Sequence, residues 1–249
     1  MILPSDLFFL FLSLAAAGAY LRPSWTWMRA AWILHGASLA LTLLGDSPHF
    51  GFAPALSFTA WLMVLVYTVE RMVYPQLSSR KARGITVTAA VAVGMAMVFP
   101  GSPLLGNFST GLAVHLALGV ASYGLFGIAV VHAWLMQRAE VRFRHAQDPD
   151  SGLPLLTLER LTYRFIVTGF CLLSATLLIG GILHTWRWDH KTIFSLLAWV
   201  IFGVLLTGRY GFGWRGKRAV QALYTGSLFL LLGYAGSRFV LEVILSRTP

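Results

Sequence analysis

Charge is what this sequence has least of. Only 11% of its 249 residues are Asp, Glu, Lys or Arg, and just nine are acidic. A water-soluble domain carries roughly 25% charged residues, so this chain cannot cover itself with a wetted surface, and a soluble enzyme or binding module is excluded. Cysteine is nearly missing too. Cys171 stands alone, which removes any internal disulfide and any CxxC redox or metal pair; within its apolar run it reads as a small buried helix residue. No β-alternation and no internal repeat is found. Phosphate loops, nucleophile elbows and metal-ligand spacings are absent as well. The carboxylates never pair: Asp6, Asp46 and Asp189 lie at one set of segment ends, and Glu70 and Glu159 at the other. No bond-making site is expected, and the protein reads as non-enzymatic.

What fills the sequence instead is apolar, at 57% of residues. A membrane-spanning helix needs about 20 mostly apolar residues to cross about 30 Å of hydrocarbon. Eight segments qualify, roughly 4–21, 27–45, 55–74, 84–99, 109–137, 160–184, 192–208 and 219–244, separated by Pro23, Pro48, Pro54, Pro75, Pro100, Pro103, Pro149 and Pro154. The fold class expected is all-α: a polytopic bundle of eight transmembrane helices forming a single transmembrane domain over 1–249. The opening MILPSDLFFLF lacks the basic start of a secretory signal, with no Lys or Arg before Arg22, and reads as a retained first span.

The basic residues orient the set. Arg22, Arg29, Arg71, Arg80, Lys81, Arg83, Arg138, Arg142, Arg144, Arg160, Arg164, Arg209, Arg215, Lys217 and Arg218 fall around the loops after spans one, three, five and seven. Only Arg187, Lys191, Arg238 and Arg247 fall on the other side. The positive-inside rule then places both termini outside. The net charge of +10 is thus a topology signal and not a nucleic-acid surface; GFGWRGKR (211–218) is expected to meet anionic lipid headgroups. Ala113, Ala117 and Ala121 form a small-residue row for close helix approach.

An ionisable side chain inside a span is costly and marks a functional hypothesis. A neutral imidazole is the cheapest to bury and is a good iron ligand. His35 lies on span two with Trp32, Ser38 and Thr42 on one face. His115 lies on span five with Gly119 and Ser122, the glycine leaving room alongside. At 1.5 Å per residue they sit about 13 Å and about 9 Å below the outer surface. Two readings stand side by side: the pair clamps a planar macrocycle, or each histidine hydrogen-bonds a serine or carbonyl on a neighbouring helix. His132, about 25 Å further along the helix from His115, is expected at the inner rim beside Trp134. His184 and His190 flank Trp186 and Trp188 in LHTWRWDHK (183–191), and His49 and His145 lie in loops. Glu242 follows Arg238 at ion-pair spacing.

WRWDHKTIFSLLAW (186–199) resembles the tryptophan-rich signature of cytochrome c assembly proteins of the CcsA and CcmC kind. Trp186, Trp188, Asp189, Lys191 and Trp199 fit its spacing, while His190 and Thr192 replace its Pro and Glu. VHLALGVASYGLFGIA (114–129) is similar to that family's His-plus-Ser-Tyr helix, and GWRGKRAV (213–220) with YAGSRFV (234–240) to its last inner loop and helix. The overall layout is most similar to the YpjD branch of inner-membrane proteins, related to HemX. The resemblance implies a bacterial inner-membrane protein that binds or handles haem (haem b is the expected form) in cytochrome c assembly or haem homeostasis. On this resemblance His35 and His115 are expected to be the axial ligands of the iron, and Trp186, Trp188, Asp189 and His184 to form a cofactor-binding shelf at the outer surface. Its partners are membrane lipid, haem and other membrane or cytochrome assembly proteins, with no nucleic acid. Thr207 and Leu245 stand where two further family histidines are found, so a full haem lyase does not follow. The rival readings are a scaffold or regulatory membrane subunit without haem, and a small-solute transporter, against which the missing inverted repeat counts.

Overall fold

Long apolar runs bounded by proline and glycine leave the backbone one way to satisfy its own polar groups, and that is helix. The computed structural model describes residues 4–22, 24–44, 49–75, 79–103, 110–144, 154–183, 189–236, 239–240 and 244. They are almost entirely helical: α1 (Pro4–Tyr20), α2 (Trp25–Leu44), α3 (Phe52–Val73), α4 (Ser79–Val98), α5 (Thr110–Arg144), α6 (Leu155–Leu183), α7 (His190–Phe212) and α8 (Lys217–Leu231). The all-α class and the eight helical segments agree with the sequence. Four helical stretches are long and apolar enough to cross a membrane: Phe52–Val73, Thr110–Val141, Leu155–Ile182 and His190–Phe212. Shorter apolar stretches occupy Leu7–Tyr20 and Ala82–Val98.

The chain divides into two compact units, residues 1–73, 79–107 and 238–249 in the first, and 74–78 and 108–237 in the second. In the first, α1 packs on α2 and α4, and α3 on α2 and α4. Its core is built from Tyr20, Met28, Ala31, Ala60, Val64, Tyr67, Ala89 and Val93; the alanines let the helices approach closely. A two-residue antiparallel pair, β1 (His49–Phe50) with β2 (Ser102–Pro103), joins the ends of α2 and α4, a feature the sequence reading lacked. Gly101 makes it feasible: its φ is +86°, and a Cβ there would lie 2.7 Å from the Gly51 nitrogen.

In the second unit α5 packs on α6 and α8, and α7 on α6 and α8. At its centre Phe126 and Phe202 stack, with centroids 3.8 Å apart and planes 4° from parallel. Gly169 and Gly226 close over the pair, since a Cβ on either would lie 3.2 Å from Phe126 and 2.8 Å from Phe202, respectively. The span read as continuous over 219–244 is not regular. A π turn, Leu232–Gly236, follows α8, and the Tyr123 hydroxyl donates to the Leu230 carbonyl at the junction, one of the recognised ways a helix ladder is broken.

Asp189 starts α7, its carboxylate accepting from the Thr192 amide at 2.9 Å and hydroxyl at 3.0 Å. Partial burial works against the charged form, but the two Thr192 bonds and the nearby Lys191 and His190 outweigh it, holding the carboxyl below the usual carboxylate range. The helix ends at Gly213, whose left-handed backbone (φ 67°) lets the Trp214 amide reach back to the Gly208 carbonyl at 2.9 Å. Glu159 receives Arg209 at 2.9 Å and Arg215 at 3.6 Å at this same end.

Candidate functional site

The sequence pointed to His35 and His115, and the two lie in different units. His35 is completely buried. Its Nδ1 is 3.2 Å from the Tyr20 hydroxyl on α1, and its Nε2 is 2.8 Å from the Ser57 hydroxyl on α3. The imidazole thus ties three helices together. Packing aims it there: Trp32 and Trp61 stack at 4.9 Å between α2 and α3, and Trp61 Nε1 donates to the Trp32 carbonyl at 3.0 Å. Gly36 admits the Trp61 indole, because a Cβ would meet its Nε1 at 3.0 Å. Trp61 lies four residues beyond Ser57, so this contact fixes the α3 face that presents the serine. The expected polar stripe is present: Ser38 Oγ donates to the His35 carbonyl at 2.8 Å and Thr42 Oγ1 to the Ser38 carbonyl at 3.0 Å.

His115 is half-buried on α5, and its Nδ1 lies 3.0 Å from the Thr176 carbonyl oxygen on α6. A carbonyl only accepts, so Nδ1 carries the proton and Nε2 the lone pair of the neutral ring. The two antiparallel helices meet through small residues. A Cβ at Gly180 would touch His115 Cε1 at 3.0 Å, and one at Gly119 would touch the Thr176 methyl at 3.6 Å. Thr176 is thus the neighbour beside Gly119, at a distance where an added methyl group would make ordinary van der Waals contact. Ser122 Oγ donates to the Gly119 carbonyl at 2.8 Å.

The remaining candidates divide. Asp189 is the helix cap described above and His190 the first residue of α7. His184, Trp186 and Trp188 lie outside the described residues, as do His145, Arg238 and Glu242. Trp199, the last tryptophan of the motif, donates from Nε1 to Ser174 Oγ at 2.8 Å and stacks on Phe170 at 5.5 Å. His132 departs from expectation. It is completely buried, with Phe165 on α6 edge-on at 5.4 Å, whereas Trp134 is exposed, with Arg138 over its ring at 4.2 Å. Cys171 is exposed, where burial was expected. Among the described residues no three His, Cys, Asp or Glu side chains form a metal-binding group.

Tyr20, Ser57, Thr176 and Gly180 were missed by sequence reasoning. A serine within an apolar segment signals Ser57. The Thr176 contact uses the main chain, which no residue letter reports.

Residues 25–245 match the family model described as Cytochrome C assembly protein. The chain is similar to the inner membrane protein YpjD of Escherichia coli (strain K12), 26% identical over 227 residues that cover 86% of this chain and 84% of the relative. It is similar to the cytochrome c biogenesis protein CcsA of Prochlorococcus marinus (strain MIT 9303), 26% identical over 231 residues, covering 77% and 73%. A third relative is CcsA of Synechococcus sp. (strain CC9902), 25% identical over 237 residues, covering 77% and 75%. No solved structure matches.

Proposed function

Because the chain belongs to the cytochrome c assembly protein family, we propose that it is a haem-handling protein of the bacterial inner membrane, acting in cytochrome c assembly or haem homeostasis. All eight helices cross the bilayer in this reading, with both termini outside as the positive-inside rule requires. The protein binds and presents its cofactor, haem b, and makes no covalent bond itself.

One observation carries the reading. Iron takes an imidazole nitrogen that bears a lone pair, and ligating histidines characteristically donate their other N–H to a carbonyl or carboxylate. His115 has that arrangement, with Nδ1 on the Thr176 carbonyl. His35 would hold haem through Nε2 after giving up Ser57. Haem would supply a redox-active iron, and the chain the imidazole nitrogens. Trp186, Trp188, Asp189 and His184 are the further residues assigned to the cofactor in this reading, with Asp189 anchoring the start of α7. Lipid and other cytochrome assembly proteins are the expected partners.

The test is purification in mild detergent, addition of haemin and a visible spectrum. A Soret band that weakens in His35→Ala and in His115→Ala supports the reading. A colourless protein that takes up no haemin overturns it. The second reading, a scaffold without haem, is favoured by the Tyr20–His35–Ser57 link, and a stoichiometric protein partner without cofactor would select it.

A further inference from the structure

The two histidines are held by different kinds of partner. His35 lies between two hydroxyls, each able to donate or accept, so either ring nitrogen can carry its proton. His115 lies against a main-chain carbonyl, which leaves no choice.

That carbonyl belongs to a regular helix, and a ring can reach one only where the helix surface is bare. On α6 the residue one turn beyond Thr176 is Gly180. A methyl group at this position would lie 3.0 Å from His115 Cε1 and 3.4 Å from Nδ1, tighter than ordinary van der Waals contact, so the ring would have to move away from the carbonyl. Gly119 lies one turn along α5; its carbonyl accepts from the Ser122 hydroxyl, and a Cβ on it would meet the Thr176 methyl at 3.6 Å, so the two helices run close together on this side of the ring.

We infer that the Thr176 main-chain carbonyl and the bare Cα of Gly180 are the positioning elements of His115, fixing its proton on Nδ1 and leaving the lone pair on Nε2. Of the two histidines, His115 is therefore the one whose tautomer is set by its main-chain partner, whereas the two hydroxyls around His35 allow either. The assignment of positioning rests on the protein's own geometry; only its consequence for iron rests on the haem reading.

The experiment uses the full-length protein, 15N-labelled at histidine and purified in detergent without haem. The His115 signals are identified by their loss in His115→Gln. The expected spectrum has a protonated Nδ1 and an unprotonated Nε2 for His115. Gly180→Ala shifts both signals or mixes the tautomers, whereas Gly203→Ala, whose added methyl meets Phe170 only at an ordinary 3.8 Å, leaves them in place. A protonated Nε2 in the parent, or His115 signals unmoved by Gly180→Ala, overturns the inference. With haemin added, Gly180→Ala is expected to bind about 10–100-fold more weakly than the parent, the usual effect of disturbing a ligand's supporting contact, with a changed low-spin spectrum. If the parent shows the expected tautomer yet binds no haemin, the haem reading falls and the positioning of His115 stands.

Discussion

Ser57 Oγ stands 2.8 Å from His35 Nε2, so the nitrogen that would face iron is held by a neighbouring helix. Ser57→Ala strips that partner from a completely buried imidazole. The expected cost is about 1–3 kcal/mol, the penalty of an unsatisfied buried polar group, read as a lower unfolding midpoint in detergent without haem. Haemin affinity should hold or rise, because the nitrogen no longer exchanges a hydroxyl for iron. A variant that is as stable as the parent would show that the bond contributes nothing.

Gly226→Ala probes the centre of the second unit. The added methyl would sit 2.8 Å from Phe202, which is itself pinned flat on Phe126. Overpacking of this kind costs about 1–3 kcal/mol. Gly94→Ala, where a Cβ meets nothing within 4 Å, is the control, and thermal unfolding of both variants decides the matter.

Asp189 gives a pH dependence of known sign. Its carboxyl is held below the usual range in the folded chain, so its contribution is full above the ordinary carboxylate pKa and is lost as pH falls through the lowered folded value. Hydrogen exchange at the first turn of α7 should therefore quicken only in acid. Asp189→Ala should quicken it at neutral pH too, by the equivalent of about 0.5–2 kcal/mol for a lost cap. Asp189→Asn should keep the cap and abolish the acid step.

Glu159 joins two arginines unequally. Arg209 reaches it at 2.9 Å with both side chains mostly covered, whereas Arg215 lies 3.6 Å away and is largely exposed. Arg209→Ala should cost about 1–3 kcal/mol, between the values for exposed and fully buried pairs, and it also removes a guanidinium 4.5 Å over the Tyr163 ring. Arg215→Ala should change stability by less than about 1 kcal/mol. Equal effects in denaturant or thermal unfolding would contradict the unequal geometry.

The helices were legible because apolar length is written directly in residue letters: the segment read as 192–208 became His190–Phe212, and that read as 160–184 became Leu155–Leu183. Each histidine meets a serine or a carbonyl on a neighbouring helix, as its intramembrane position suggests: Ser57 for His35 and the Thr176 carbonyl for His115. What stayed hidden depends on which face a neighbour covers. Depth along a helix places His132 near the rim, yet Phe165 on α6 buries it. The same blindness made Cys171 seem interior. Main-chain acceptors such as the Thr176 carbonyl carry no compositional trace at all.

The π turn after α8 has a practical corollary for any scan along that segment. Each π turn holds one more residue than the α turn it replaces, so the burial rhythm that runs through Val220, Leu223 and Leu230 cannot be extrapolated through Leu232–Gly236; one extra residue shifts the angular count by about 100°. Deleting one residue within Leu232–Gly236 lets the ladder relax to α geometry and restores the count. The same deletion in α7, which lacks such slack, would rotate every later side chain onto the wrong neighbour.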